Sequence, residues 1–299
     1  MLIGLYLSRY LYRPHILEVF VFNMASGRAL FIRTPDDRRI LVDSGGASEI
    51  IKDITSILPF YSRRIDAVFV TDANGKNMSG LVDIISRYSV ARAYIPAISP
   101  VSAGIATTSD QIFEAFMQRA QIRHVPIVRV MAGDSIDVSP KIRISALFPA
   151  PQNLFTYSKS NMPEFDFTVT YGSTTFTYLG AATKKTQAFI ASSTASLASP
   201  GAMGHIVLIL SRAAAPDAMS AAFLAVSHFD EIVFSGSKIK KKAAAGSDSQ
   251  AVSSPLRRVG KETAAVTNAL QNIHLTNLRE SGSLHVVSNG SAVVIEQWR

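Results

Sequence analysis

The chain has 299 residues, of which 47% are hydrophobic, 30 are Lys or Arg and 22 are Asp or Glu, with six His and no Cys. That much apolar material excludes a disordered chain. The lack of cysteine excludes a disulfide framework, a thiolate metal site and a cysteine nucleophile, and the net charge of +8 favours anionic partners such as nucleic acid or acidic lipid.

Residues 1–12 (MLIGLYLSRYLY) are apolar but interrupted by Arg9, whereas a spanning helix needs ~20 largely apolar residues. The segment does not span a membrane by itself, and it lacks the basic start and small-residue cleavage pattern of a secretory signal. Residues 1–15 read either as a short element packed on the domain or as a membrane-proximal anchor presenting Tyr6, Tyr10, Tyr12, Arg9 and Arg13 to lipid.

Runs of β-branched and aromatic residues at 16–22, 29–33 and 40–43, separated by MASG and by the polar turn 35–39, predict a β-meander. Ile50, Ile51, Ile54, Ile57 and Leu58 then recur at the spacing of one helix face, which predicts a helix over 48–58. An apolar strand at 66–70 ends in Thr71-Asp72, after which Leu81, Ile84, Ile85 and Tyr88 return at helical spacing over 79–88. A strand at 93–96, a helix at 109–120 and a strand at 123–130 follow.

The second half opens on a Gly133-Asp134 turn and alternates at Ile142, Ile144 and Leu147, then at Phe165, Phe167, Val169 and Tyr171, and continues at 176–179. These are period-2 strands with one buried face. A buried strand at 206–210, a helix at 216–226, a strand at 231–234 and a helix at 262–271 come next. The chain closes in a hairpin pairing 284–287 with 292–296 around Ser288-Asn289-Gly290, a strong turn signal. Strand groups interleaved with single helices in two similar halves predict one α/β domain over 16–299, two mixed sheets face to face with helices outside. Residues 237–261 stand apart: Lys238, Lys240, Lys241, Lys242, Arg257, Arg258 and Lys261 surround a low-complexity run that reads as a mobile loop.

The order of these segments resembles the metallo-β-lactamase fold and, within it, the soluble domain of ComEC-type DNA-uptake (competence) proteins. The family's D-V-G-Q-G-D-A turn falls on Asn23, Met24, Ala25, Ser26, Gly27, Arg28 and Ala29, and its L-x-D-x-G on Leu41, Asp43 and Gly45. Its T-H-P-H-A-D-H-I-G-G segment falls on Thr71, Asp72, Ala73, Asn74, Gly75, Lys76, Asn77, Met78, Ser79 and Gly80. Its G-D turn matches Gly133-Asp134, and its Y-G-x-x-x-F-L-L-T-G-D strand matches Tyr171, Gly172, Phe176, Leu179 and Gly180, with Ala181 at the bridging carboxylate. The strand that should end in a His pair reads Val207, Leu208, Ile209, Leu210, Ser211, Arg212, and Thr276, Gly282 and Ser288-Asn289-Gly290 match the closing segment. The resemblance covers residues 16–296 and implies a four-layer αββα sandwich.

Zn or Mn is expected in that family, and a hydrolytic site of this type needs neutral imidazoles and a carboxylate around an acidified water. Here Asp72, Asn74, Lys76 and Asn77 stand at the four motif positions and Ala181 and Ser211 at two more, so one anionic group remains and no imidazole. An ammonium ~4 Å from a divalent ion is repelled by ~8 kcal/mol at an effective dielectric of 20, which sets Lys76 against a metal. His15, His124, His205, His228, His274 and His285 are scattered with no H-x-H pair and read as structural or surface residues, His205 and His228 being the first to inspect. The resemblance thus implies a degenerate metal motif with no cofactor and no catalytic residues.

Three readings follow. The first is a catalytically inactive binding module for nucleic acid, DNA above all, or for a protein partner. In it Asp43 is a structural acceptor for backbone N–H groups, and Lys238, Lys240, Lys241, Lys242, Arg257, Arg258 and Lys261 neutralise phosphates, with no aromatic in that stretch to stack on bases. The second is a hydrolase or nuclease with an atypical carboxylate site, Asp72, Asp43 and Asp134 holding Mg²⁺ and Lys76 stabilising developing charge. The third is a membrane-associated assembly protein whose first 15 residues dock on a membrane or on a membrane channel protein.

Overall fold

Side chains of a strand alternate between its two faces, and strand β1 (Leu17–Val21) uses that alternation to build two apolar layers. Leu17, Val19 and Val21 join one buried cluster, while Phe20, with Phe22 just beyond, joins another. In β2 (Ala29–Arg33) Leu30 and Ile32 separate in the same way from Ala29 and Phe31, and in β3 (Arg39–Asp43) Ile40 and Val42 from Leu41. A sheet that is apolar on both faces must be covered on both.

The computed structural model describes residues 15–59, 61–98, 110–157, 163–180, 183–193, 204–210, 218–235 and 265–298. After β3 come α1 (Ala47–Ile57), β4 (Arg64–Ile65), β5 (Ala67–Phe69), α2 (Gly75–Arg87), β6 (Ser89–Val90), β7 (Ala93–Pro96), α3 (Asp110–Ile122) and β8 (Ile127–Val130). The second half holds β9 (Ser135–Ile136), β10 (Arg143–Phe148), β11 (Asp166–Tyr171), β12 (Thr174–Leu179), α4 (Lys184–Ser193), β13 (Ile206–Leu210), α5 (Ala221–Ser227) and β14 (Glu231–Phe234). It ends with the helical stretch α6 (265–270), then β15 (His274–Asn277), α7 (Leu278–Ser281), β16 (Leu284–Ser288) and β17 (Val293–Gln297).

The first sheet runs β17-β16-β1-β2-β3-β5-β7-β8 and the second β15-β14-β13-β12-β11-β10-β9. Between them lies a shared core in which Phe69, Tyr94 and Val130 meet Phe165, Phe167, Val169, Tyr178 and Ile209. Phe69 stands 5.2 Å from the ring centroids of Tyr94, Phe165 and Phe167. The outer face of the first sheet packs on α1, α2 and α3 through Ile50, Ile54, Leu81, Ile84, Ile85 and Phe116. The outer face of the second packs on α4, α5 and α6 through Ile190, Phe223, Leu224, Val266 and Leu270. The result is the four-layer αββα sandwich that the strand and helix pattern predicts.

The closing hairpin returns to the first sheet, where β16 lies antiparallel to β1 from Leu17 opposite Ser288 to Val21 opposite Leu284. Its turn is held by Asn289 Oδ1, which accepts from the backbone N–H groups of Ser291 and Ala292 at 2.9 Å each.

Several boundaries differ from the sequence-based expectation. The helix expected from residue 79 begins at Gly75, because Asn74 Oδ1 accepts from Lys76 N–H and caps it, and its polar first turn carries no apolar periodicity. The strand expected over 123–130 is confined to Ile127–Val130, since α3 runs to Ile122 and His124 at φ +52° turns the chain. The helix expected at 216–226 is Ala221–Ser227, capped by Ser220 and stopped by His228 in the left-handed region. Residues 1–14 lie outside the described residues, among which no helix is long and apolar enough to cross a membrane.

Candidate functional site

Three strand ends of the first sheet converge on one guanidinium. Arg28, 8% exposed, donates through Nε to Asp43 Oδ2 at 2.7 Å and through Nη2 to Thr71 Oγ1 at 2.5 Å, and Nη2 faces Asp72 Oδ2 at 3.1 Å. Its Cζ lies 5.7 Å from the ring centroid of Tyr178 on β12, so the charge also leans on an aromatic face of the second sheet.

Local backbone demands bring these groups together. Gly27 has φ +75°, and a Cβ there would stand 2.0 Å from the Lys76 carbonyl oxygen, so only glycine lets the β1–β2 turn reach the start of α2. Beyond β3, the N–H groups of Ser44 and Gly45 both donate to Asn77 O, at 2.8 and 3.1 Å. Asp43, itself at φ +53°, accepts from Thr71 N–H at 2.8 Å and from the Thr71 hydroxyl at 2.5 Å. It is the backbone acceptor its motif position suggests, and it also carries the guanidinium.

Among the motif positions, Asp72 and Asn77 lie at this cluster, Asn74 reaches it through its backbone N–H alone, and Lys76 does not join it. Asn77 Nδ2 donates to both Asp72 oxygens, at 3.0 and 2.9 Å, and Asn74 N–H donates to Asp72 Oδ1 at 3.1 Å. Asn74 is the cap of α2, and Lys76 is exposed. Ala181 and Ser211 lie outside the described residues, as do Lys238, Lys240, Lys241, Lys242, Arg257, Arg258 and Lys261.

The second sheet adds two buried acids that sequence reasoning missed, Asp166 at the first position of β11 and Glu164 two residues before it. Phe165 N–H between them donates to Thr71 O at 2.6 Å, tying the two sheets at the site. Asp166 Oδ1 accepts from Gly180 N–H at 2.6 Å, while its Oδ2 is buried with no hydrogen-bond partner among the described residues. A Cβ on Gly180 would stand 1.7 Å from Glu164 Oε2, so the carboxylate occupies the room a side chain would take.

Burial weighs against the Arg28 charge, but Tyr178, Asp72, Asp43 and Glu164 outweigh it and hold the guanidinium protonated. Burial pushes Asp43 up to about 6, with Arg28 pulling it down and the like charge of Asp72 adding to the rise. Burial likewise pushes Asp166 up to about 7, against the Gly180 N–H and Arg28. The space beside Arg28 and Tyr178 is ≈ 20 Å³, room for about one water rather than a substrate.

Among the described residues, those at the motif loop do not fit zinc or manganese. Asp72 accepts from Asn77 and Asn74 and pairs with Arg28, the Asn74 oxygen caps a helix, and the Asn77 amide points its donors at Asp72. A divalent ion ~4 Å from the guanidinium would be repelled by ~8 kcal/mol at an effective dielectric of 20. Among the described residues no group of three His, Asp or Glu side chains is placed to hold a metal ion. Asp134 closes its own turn by accepting from Met131 N–H at 2.9 Å. The histidines serve elsewhere: His285 pairs with Glu18 at 3.0 Å and stacks on Phe20, His274 pairs with Glu231, and His124 and His228 turn helix ends. His15 and His205 contribute backbone carbonyls, accepting from the Tyr171 hydroxyl and Thr175 N–H.

The positive charge at the motif loop therefore comes from Arg28, not from Lys76. The available signal was an arginine at the second acidic position of the D-V-G-Q-G-D-A turn, beside Gly27.

No protein-family model matches the chain, and no curated protein matches its sequence. Among solved structures it is similar to zinc-bound PqqB from Methylobacterium extorquens, with a TM-score of 0.50 and 12% identity over 90% of this chain and 99% of that one. It is also similar to CmlA, a diiron β-hydroxylase from Streptomyces venezuelae, with a TM-score of 0.45 and 13% identity over 73% of this chain and 44% of that one. A third match is MEM-A1, a subclass B3 metallo-β-lactamase from a soil metagenome library, with a TM-score of 0.39 and 12% identity over 64% and 75% of the two chains. The chain has the metallo-β-lactamase fold, and at these identities the likeness is one of fold alone.

Proposed function

We propose that the chain is a binding protein on a hydrolase fold, a degenerate relative of ComEC-type DNA-uptake domains that holds nucleic acid without cleaving it. The observation that carries this reading is Arg28, seated with Asp43, Thr71 and Asp72 where the strand ends meet. A hydrolase of this type works through a metal-bound water, and a buried guanidinium repels the ion and leaves room for about one water. The net charge of +8 and the basic residues Lys238, Lys240, Lys241, Lys242, Arg257, Arg258 and Lys261 supply attraction to phosphates.

The test pairs fluorescence anisotropy on labelled single- and double-stranded DNA over a salt series with a phosphodiesterase assay in Zn²⁺, Mn²⁺ and Mg²⁺. Affinity should fall linearly in log–log form with salt, and the DNA should stay intact. Changing Lys238, Lys240, Lys241 and Lys242 together to Ala should flatten the slope by about 0.7–0.9 for each phosphate that those lysines neutralise. Metal-dependent cleavage abolished by Asp72→Ala would overturn the reading in favour of a hydrolase, and so would an absence of DNA binding at low salt.

A further inference from the structure

Four carboxylates from both sheets gather at one end of the sandwich. Asp43 ends β3 and Asp72 follows β5 of the first sheet, while Asp166 opens β11 of the second and Glu164 lies two residues before it. Asp43, Glu164 and Asp166 are buried, and Asp72 is 12% exposed. Like charges gathered away from water repel by several kcal/mol at close range, so such a cluster needs a cation or protons. The cation paired with Asp43 and Asp72 among the described residues is Arg28.

We infer that the Arg28 guanidinium is the built-in cation of this centre, holding both sheets' strand ends together in place of an added metal ion. Its planar fork suits the task. Nε and Nη2 reach Asp43, Thr71 and Asp72, three groups at the ends of two strands, while the guanidinium carbon leans on Tyr178 of the opposite sheet. The field of Arg28 also reaches Glu164 and Asp166. An ammonium has no comparable fork, so lysine substitutes incompletely. Without the guanidinium the buried carboxylates lose their counter-ion, and among the described residues no three acids are placed to hold a metal ion in its stead. The inference goes beyond nucleic-acid binding and does not depend on it.

The experiment is thermal unfolding of the full chain, wild type, Arg28→Ala, Arg28→Lys and the double variant Arg28→Ala/Asp72→Ala, each in EDTA and in Mg²⁺ or Mn²⁺. Wild type should melt at the same temperature in every buffer. Arg28→Ala should melt roughly 6–15 °C lower in EDTA, as expected for one partner lost from a buried ion pair. The double variant should recover part of that loss, because one of the two acids facing the guanidinium is removed with it. Arg28→Lys should fall between wild type and Arg28→Ala, and it carries the test if Arg28→Ala does not fold. A saturable rise of the wild-type melting temperature with metal would overturn it, as would an Arg28→Ala protein as stable as wild type. DNA binding is not read in any of these outcomes, so the two proposals fail separately.

Discussion

Asp166 Oδ1 and the Gly180 N–H meet at 2.6 Å across β11 and the end of β12, and this bond leaves the other oxygen of a fully buried carboxyl without a hydrogen-bond partner among the described residues. Burial raises Asp166 from its ordinary 3.8 to about 7, with the Gly180 N–H and Arg28 opposing. The folded protein therefore binds this proton more tightly than the unfolded chain does, and the contribution of this group to stability falls as pH rises from about 4 to about 7. Asp43, raised by burial to about 6, adds to the fall in the lower part of that window. Asp166→Asn should be more stable than wild type at pH 8, on the order of a few kcal/mol, and no more stable at pH 4. Urea unfolding of both proteins across the pH range measures this, and an advantage of Asp166→Asn that does not grow through the window would contradict it.

Asp43 accepts from Arg28 Nε, Thr71 N–H and the Thr71 hydroxyl, so its loss leaves a buried guanidinium without its nearest acid. Asp43→Ala should destabilise by about 3–5 kcal/mol. The measurement is a shift of the urea midpoint at unchanged m-value, and a loss under about 1 kcal/mol would mean the pair holds nothing together.

Gly27 and Gly133 both have positive φ, +75° and +95°, but a Cβ on Gly27 would meet Lys76 O at 2.0 Å whereas one on Gly133 meets nothing within 4 Å. Alanine at Gly133 should cost about 1–2 kcal/mol from backbone strain alone. Alanine at Gly27 should cost clearly more, because the β1–β2 turn must also move away from α2. Equal effects on the two melting curves would refute the close approach as the reason for Gly27.

Phe69 sits at the centre of the aromatic group between the sheets, fully buried against Tyr94, Phe165 and Phe167. Phe69→Ala should cost about 3–5 kcal/mol. Val294 on the edge strand is 55% exposed, and Val294→Thr should change stability by less than about 0.5 kcal/mol. Chemical denaturation of the two variants side by side checks both.

The layers were legible in the sequence. Leu17, Val19 and Val21 against Phe20 and Phe22, and Ile50 and Ile54 at helical spacing, state which face is apolar within a few residues of one another. The Asn289-Gly290 turn was equally local, and so was Asp43 as a backbone acceptor beside Gly45. Short polar elements were not legible: β15 and α7 bury too few apolar residues to leave a period, and the first turn of α2 is fixed by the Asn74 cap rather than by hydrophobic spacing.

The sequence by itself determined the apolar periods, the tight turns and the residue types at the motif loop, because each of these depends on neighbours along the chain. Only the tertiary structure decided that the last hairpin pairs with β1, and that Arg28 meets Asp43, Thr71 and Asp72 beneath Tyr178, with Glu164 and Asp166 close by. Charge compensation acts through space rather than along the chain, so acids far apart in sequence acquired a common counter-ion only when the two sheets packed face to face and removed them from water.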